Sequence, residues 1–308
     1  MKALFRGVSL PVFLMLVASG TAQAVIVGGT LGTGTNNGSE SSLQSYLSSS
    51  SQASFNHWGN LLRVNDASGV YLGYNQSTGN GWVLGAGHVG NPGTITVAGT
   101  SYAVVHSQTV TGTDLLLMEI SGVAGTAAAA LPTVNLASTS ATTNEFVLMM
   151  GRGYTTATGT SDPYPWGSTS ASDAQVMRWG TNRVTSVQNA VVSGVTSMNI
   201  ITDFDPPGPT GGPGAVTAYE GQVAIGDSGG GMFAYRGGQW VLVGIGHFAD
   251  DEGGSAADSA EYGDRSGYTD VFTYRTDITA ITGTLIPEPS AALLLPLAGA
   301  LVCRRRRR

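Results

Sequence analysis

The sequence predicts an all-β protein, and three observations support this class. Short runs rich in β-branched and aromatic residues recur along the chain, and turns rich in Gly, Asn, Ser and Thr separate them. The Ala-rich run at residues 127–130 has room for only one helical turn, because Gly125 and Pro132 bracket it. Of the 308 residues, 42% are hydrophobic and 11% are charged, which provides a sizeable core and excludes a disordered chain. Regular short strands of this kind are typical of a β-sandwich or β-barrel.

Segments without strand character interrupt this pattern. Strands are predicted at residues 69–73, 81–84, 94–97, 102–105, 115–120, 146–150, 198–202, 241–245 and 268–272. Residues 30–54 are dominated by Gly, Ser, Thr and Asn, so a flexible leader or surface loop is expected there. The Pro-rich residues 203–214 and the acidic residues 250–264 predict two further loops. We find no repeat of fixed period, which excludes a solenoid.

The first 24 residues have the pattern of a secretory signal peptide. Lys2 and Arg6 precede an apolar run, and the small residues Ala22 and Ala24 form a cleavage site for signal peptidase. The alternative is a buried N-terminal helix. Cleavage after Ala24 would start the mature chain at Val25, outside the cytoplasm.

The last 24 residues, 285–308, have the pattern of a second targeting signal. Pro287-Glu288-Pro289 is followed by an apolar stretch at residues 290–303 and then by five arginines. The stretch is shorter than the 17 to 25 residues or so of a comfortable membrane span. The order of these parts resembles the bacterial PEP-CTERM sorting signal, which implies processing by a membrane exosortase; a plain tail anchor is the alternative. Either interpretation predicts an exported protein of the cell envelope or extracellular space, with membrane contact at its C-terminus.

Charge and cysteine content exclude several classes of function. Cys303 is the one cysteine, so neither an internal disulfide nor a Cys-based zinc site is available. Half of the 14 Lys and Arg residues lie in the two terminal segments, and the body between them is strongly acidic. Such a body repels phosphate backbones, so nucleic-acid binding is not expected. The acidic residues 250–264 could bind calcium but lack the EF-hand spacing, and a solvated loop is the preferred interpretation. We expect no metal site and no cofactor.

Three segments carry residues suited to catalysis. Residues 226–230, GDSGG, place Ser228 among glycines that permit a tight bend, although a hairpin loop has the same pattern. Residues 81–89, GWVLGAGHV, place His88 after an apolar strand, among residues too small to cover its ring. Asp114 begins an apolar strand and needs a partner there, because an unpaired buried charge costs several kcal/mol. A histidine ring nitrogen is such a partner.

With these segments in the order His, Asp, Ser, the chain resembles the trypsin/chymotrypsin family of serine proteases. The family patterns are WVLTAAHC, DIALL and GDSGGP. The resemblance spans residues 55–284 and implies a chymotrypsin-like fold of two packed six-stranded antiparallel β-barrels. It implies His88 as general base, Asp114 as the residue that orients it and Ser228 as nucleophile. The backbone amides of Gly226 and Ser228 would form the oxyanion hole.

Further segments agree with the resemblance, and several residues depart from it. Residues 151–155, 244–248 and 267–278 resemble the family's Gly-Trp-Gly segment, its substrate-lining strand, and its closing strand and helix. Gly85 and Gly87 replace Thr and Ala, Val89 replaces Cys, and Gly231 replaces Pro, which adds backbone freedom but removes no reacting atom.

The resemblance also suggests residues of a substrate pocket. Gln222 would lie at the base of the pocket, where the absence of an Asp leaves Lys and Arg side chains without a charge partner. His247 and Phe248 lie on the segment that would line the cleft. The other histidines, His57 and His106, are expected to be packing or surface residues.

Residues 26–29, Ile-Val-Gly-Gly, resemble the mature N-terminus of animal members of the family. There a freed isoleucine amine pairs with the aspartate that corresponds to Asp227. Signal cleavage would leave Val25 in front of Ile26, so coincidence is an equal alternative.

The predicted function is a secreted serine endopeptidase that acts on protein or peptide substrates, with an exosortase-type enzyme as a second partner. The predicted parts are a signal peptide (1–24), a flexible leader (25–54), a protease domain (55–284) and a sorting or anchor segment (285–308). One alternative is a catalytically inactive, protease-like surface protein that binds cell-wall or exopolysaccharide partners. A purely structural matrix protein is the other.

Overall fold

The computed structural model describes residues 25–28, 37–153, 162, 164–165, 176–192, 194–208, 216–250 and 259–285. The predicted signal peptide, part of the Pro-rich segment, most of the acidic loop and nearly all of the C-terminal segment lie outside these residues. Among the described residues, no helix is long and apolar enough to cross a membrane.

The described chain contains eighteen strands and two α-helices. The strands are β1 (Ile26–Val27), β2 (Leu61–Val64), β3 (Ala67–Asn75), β4 (Asn80–Ala86), β5 (Thr94–Val97), β6 (Thr100–Thr109), β7 (Leu115–Ile120), β8 (Asn135–Leu136), β9 (Phe146–Gly151), β10 (Tyr164–Pro165), β11 (Arg178–Arg183), β12 (Ser186–Val192), β13 (Val195–Asp203), β14 (Gly221–Gln222), β15 (Gly231–Arg236), β16 (Gln239–Asp250), β17 (Ser259–Ala260) and β18 (Arg265–Asp270). The helices are α1 (Glu40–Ser49) and α2 (Arg275–Thr282). The predicted all-β class is confirmed.

The first sheet has six antiparallel strands in the order β2-β3-β4-β7-β6-β5. Its two edge strands, β2 and β5, contact each other, so the sheet curls into a nearly closed barrel. The interior of the barrel is apolar and includes Val64, Tyr71, Val83 and Met118, all buried. This sheet has the number of strands that the family resemblance implies.

The second sheet is also curled, and it has eight strands. Seven follow the order β11-β9-β15-β16-β18-β13-β12, and β8 pairs with β16 in parallel. The count exceeds the expected six partly because β18 pairs with β16 only from Gly244 onward, which leaves Val241 and Leu242 free to pair with β8. Strands β11 and β13 approach each other across the curl.

The two sheets share a large apolar core. It joins Val70, Leu84 and Leu115 of the first sheet to Leu148 and Phe233 of the second, all buried. Burial of side chains of this size stabilises a fold by about 1.5–3 kcal/mol each. The two sheets are therefore packed against each other through this core.

The expectation of an unstructured leader is wrong for its second half. Helix α1 begins after Ser39, whose hydroxyl accepts a hydrogen bond from the N–H of Ser42, and it buries Leu43 and Leu47 in the shared core. Leucines four residues apart lie on one helix face, a signal that the surrounding serines conceal in the sequence. Residues 29–36 of the leader lie outside the described residues.

Two local predictions are confirmed. Residues 127–130 form a single 3-10 turn, as the flanking Gly and Pro require. Helix α2 follows strand β18 near the end of the main domain, where the family resemblance places a closing helix.

Candidate active site

Strand pairing within the first sheet places His88 beside Asp114. Strands β4 and β7 are antiparallel neighbours, and the last residue of β4, Ala86, pairs with the first of β7, Leu115. His88 lies in a 3-10 turn just beyond β4, and Asp114 lies just before β7. The two residues therefore lie at the same end of this pair of strands.

Asp114 holds the histidine with both carboxylate oxygens. The backbone N–H of His88 donates to Oδ1 at 2.9 Å, and Nδ1 of His88 lies 2.5 Å from Oδ2. Gly87 lies so close that a Cβ added there would be 3.1 Å from Oδ1 of Asp114. The glycine that departs from the family pattern therefore leaves room for the carboxylate.

Ser228 lies in a tight turn of residues 226–230, just before β15 of the second sheet, which we call the nucleophile turn after the role predicted for Ser228. Its Oγ is 2.7 Å from Nε2 of His88. Gly229 has a φ of +81°, and a Cβ there would strike the carbonyl oxygen of Ser68. A Cβ at Gly230 would strike the carbonyl oxygen of Met150. Only glycine lets the turn approach both sheets this closely.

Two amides of the nucleophile turn remain available to a ligand. Within the described residues, neither the N–H of Gly226 nor the N–H of Ser228 donates a hydrogen bond to another group of the chain. Gly226 has a φ of +89°, a conformation that favours glycine. Free amides beside a serine hydroxyl are suited to hold a negatively charged oxygen.

His247 differs from its expected position in the substrate pocket. Its side chain is only 2% exposed, and its Nε2 lies 3.9 Å from Oδ2 of Asp114. On the other side of the ring, Nδ1 lies 2.9 Å from Oδ1 of Asn199. Asn199 uses its amide nitrogen to donate to Ser197, so its oxygen accepts the Nδ1 proton. Burial lowers the pKa of His247, while the Asp114 carboxylate acts against this shift.

Gln222 is also buried, at 1% exposure. Its amide nitrogen donates to the carbonyl of Arg265 at 3.1 Å, and its amide oxygen accepts from the hydroxyl of Ser266 at 2.8 Å. These bonds occupy both ends of the amide inside the protein. Phe248 is half-buried, with its ring packed against Gly267, and retains surface for a ligand. A pocket role for Phe248 stays a prediction.

The remaining histidines have the packing and surface positions expected of them. The ring of His57 packs against Phe55 and Phe233, and burial lowers its pKa to about 4. His106 is exposed on β6. Neither contacts His88, Asp114 or Ser228.

The buried carboxylate of Asp227 ties the nucleophile turn to neighbouring backbone segments. It accepts hydrogen bonds from the N–H groups of Gly153 at 2.7 Å and Ala224 at 2.8 Å, and from the backbone N–H of Val25. Burial raises the pKa of Asp227 to about 7 in spite of these bonds.

Val25 and the two residues after it are fully buried, and β1 pairs with β14. The segment that resembles a mature N-terminus thus lies at Asp227. The residue that reaches the carboxylate is Val25 rather than Ile26.

Sequence reasoning missed three residues near this site. Ser68, Asn199 and Val25 contact the three predicted residues or the nucleophile turn, directly or through one partner. The sequence carries no local signal for the first two, because they meet the site only through folding. Among the described residues, no group of three or more His, Cys, Asp or Glu side chains is arranged to hold a metal ion. Most of the predicted acidic loop lies outside that range.

No protein-family model and no curated protein sequence matches the chain. Similar solved structures are serine proteases. The active form of the Mycobacterium tuberculosis protease Rv3671c is 14% identical, with 89% of this chain and 96% of that chain covered and a TM-score of 0.47. An inactive form of Rv3671c is 14% identical, with coverages of 84% and 98% and a TM-score of 0.44. Neuropsin, a serine protease expressed in mouse brain, is 16% identical, with coverages of 74% and 96% and a TM-score of 0.47. Identities this low say nothing about individual side chains, on which chemistry depends.

Proposed function

We propose that the chain is a serine endopeptidase in which Asp114, His88 and Ser228 act as one catalytic unit. The observation that supports this most is the continuous contact from Oδ2 of Asp114 to Nδ1 of His88, at 2.5 Å, and from Nε2 to Oγ of Ser228, at 2.7 Å. The carboxylate accepts the Nδ1 proton, which leaves Nε2 free to accept the proton of the serine hydroxyl.

The reaction proceeds by acyl transfer. Oγ of Ser228 forms a bond to the carbonyl carbon of a peptide, and its proton moves to Nε2 of His88. The free amides of Gly226 and Ser228 stabilise the oxyanion. The C–N bond then breaks, and His88 returns the proton to the leaving amine. Water repeats these steps on the acyl-enzyme and releases the acid.

Substrates in this proposal are proteins or peptides. Gln222 is neutral and tied into the protein by its own hydrogen bonds, so a Lys or Arg side chain would find no charge partner there. The exposed part of Phe248, the residue after His247, offers an apolar surface. The preference is therefore for uncharged side chains before the scissile bond.

Export is part of the same proposal. Removal of residues 1–24 would convert the N–H of Val25, which donates to Asp227, into an ammonium group beside a buried carboxylate. Such a pair would order the nucleophile turn as a consequence of signal cleavage. The C-terminal segment, residues 285–308, would then deliver the protein to the cell envelope or exterior through an exosortase-type enzyme.

The test is labelling of the purified protein, beginning at Val25, with a fluorophosphonate probe. We expect one modified peptide, carrying the label at Ser228, and none in the Ser228→Ala variant. Mass spectrometry identifies the peptide. Well-folded protein that takes no label would contradict the proposal and favour a protease-like binding protein.

A further inference from the structure

Ser68 joins the first sheet to the nucleophile turn. It lies near the start of β3 and is 2% exposed. Its backbone N–H donates to the carbonyl of Ser228 at 2.9 Å, and its Oγ donates to the carbonyl of Gly226 at 3.2 Å. One residue of the first sheet therefore holds two carbonyls of a turn that belongs to the second.

The hydroxyl of Ser68 also has a fixed direction. It accepts a hydrogen bond from the backbone N–H of Arg152 at 2.9 Å, which leaves its own proton for Gly226. Arg152 follows β9 of the second sheet. The hydroxyl thus connects two separate segments of the second sheet through a residue of the first.

The two carbonyls held by Ser68 flank one of the amides available to a ligand. The carbonyl of Gly226 belongs to the peptide unit before the one that carries the N–H of Ser228, and the carbonyl of Ser228 belongs to the unit after it. The other free amide is that of Gly226 itself. Gly226 has a positive φ, and a glycine backbone can adopt many conformations unless other contacts hold it. Holding its carbonyl therefore restricts the direction of both amides.

We propose that Ser68 is a positioning residue whose hydroxyl keeps the amides of Gly226 and Ser228 aimed at the substrate carbonyl. This inference rests on the proposed function of the same site. Ser68 does not touch the reacting atoms, and its effect is exerted through the turn. The charge on the carbonyl oxygen develops in the transition state, so the hydroxyl should affect turnover more than substrate binding.

The test compares hydrolysis of p-nitrophenyl acetate by wild type and Ser68→Ala. We expect kcat to fall about tenfold, less than the loss of a whole oxyanion donor, with KM changed by less than about twofold. The pH midpoint of kcat should stay at its wild-type value, because the variant leaves His88 and Asp114 intact. Equal kcat values would overturn the inference.

Thr126 provides a matched control in the first sheet's own loops. Its hydroxyl also donates to a carbonyl, that of Val123, and accepts a hydrogen bond, from Tyr102. The Thr126→Val variant therefore loses the same kind of bonds in the loop after β7, beyond the opposite end of that strand from Asp114, and we expect its kcat to match wild type. A loss of kcat as large as in Ser68→Ala would make the effect one of general stability and overturn the inference.

A second pair of variants guards against misfolding of Ser68→Ala. Ser68→Thr and Ser68→Val both introduce a branched side chain of similar shape, but only Thr retains the hydroxyl. We expect a higher kcat for Thr than for Val, and equal values would overturn the inference. Absence of Ser228-dependent turnover in wild type would instead refute the proposed function itself, so the two failures are distinguishable.

Discussion

The proposed base and the proposed nucleophile of the candidate site are held in different ways. His88 and Asp114 are 26 residues apart and meet through the pairing of two neighbouring strands in one sheet. Ser228 is 140 residues from His88 and belongs to the other sheet. The first contact is a consequence of strand register, whereas the second requires that the two sheets pack correctly. Damage to the interface between the sheets should therefore separate the nucleophile while the base keeps its carboxylate.

The largest expected effect breaks the contact within the first sheet. In Asp114→Asn the amide that replaces Oδ2 no longer selects the Nδ1 proton of His88, so Nε2 loses its role as base. We expect kcat for p-nitrophenyl acetate to fall about ten-thousand-fold with the fold unchanged. Asp66→Asn is the control, because Asp66 is exposed and pairs with the exposed Arg63. A fall of less than about tenfold would contradict the assignment of Asp114.

The next effect breaks the interface between the sheets. In Gly229→Ala the new methyl group meets the carbonyl of Ser68 and also requires a positive φ. We expect the free energy of unfolding to fall by about 4 kcal/mol and labelling at Ser228 to be lost. Urea denaturation measures the first and mass spectrometry the second.

Gly122→Ala separates the two causes. Gly122 has a φ of +71° but open space around its Cβ position, so only the backbone penalty applies. We expect a loss of about 1–2 kcal/mol and normal labelling. If both glycine variants lost the same stability, the close approach of the turn to Ser68 would not be what requires glycine.

The third prediction concerns the pH dependence of stability, for which the carboxylates of the two sheets differ. Asp114 is paired with a histidine, whereas Asp227 is bonded to backbone amides, and its pKa is raised to about 7 by burial. The folded state therefore holds the Asp227 proton more tightly than the unfolded state does. This contribution to stability is complete below about pH 4 and is lost as the pH rises to about 7.

That loss should depend on where the chain begins. In protein that retains residues before Val25, we expect the loss to amount to about 4 kcal/mol, because the pKa of Asp227 is about three units above its usual value. Protein that begins at Val25 has an ammonium group beside Asp227, which favours the charged carboxylate, so the loss should be smaller. Glu220, with a pKa raised to about 8, adds a loss of the same sign in both proteins. Asp227→Asn in both proteins isolates the Asp227 contribution, and identical pH curves before that substitution would contradict the pairing.

The difference between contacts within one sheet and contacts between the two sheets also explains which features the sequence predicts. Strands β5 and β7 match their predicted bounds, because alternating or continuous apolar runs between turn residues are local signals. His88, Asp114 and Ser228 were identified because each lies in a short motif. The approach of Ser228 to His88 follows from the family resemblance rather than from any local pattern.

Residues that act across the sheets were not predicted. Ser68 is an ordinary serine at a strand start, and it meets Gly226 158 residues further along the chain. Strand β15 was missed because it follows directly on a glycine-rich turn, and β11 because its polar residues interrupt the strand pattern. The family resemblance predicts a substrate-lining position for His247, but a bulge in β16 between Gly246 and Phe248 accompanies its inward position.

The smallest expected effect concerns this inward histidine, which the second sheet contributes to the carboxylate of the first. At 3.9 Å the ring of His247 is too far from Asp114 for a hydrogen bond, so His247→Gln should lower kcat by less than about tenfold at pH 8. The variant's activity should fall slightly, whereas its resistance to unfolding at acid pH should improve. Burial lowers the pKa of His247, so the neutral ring favours folding above the usual imidazole pKa, and this contribution is lost as the pH falls through the lowered value.

The His247→Gln variant should therefore lose less stability than wild type between neutral and acid pH. Thermal unfolding across that range measures the difference, and His106→Gln is the control because His106 is exposed and lies on the outer strand β6. Equal acid sensitivity of wild type and His247→Gln would show that water already reaches the ring in the folded protein. The packing of the two sheets would then not exclude water from the side of Asp114 that faces His247.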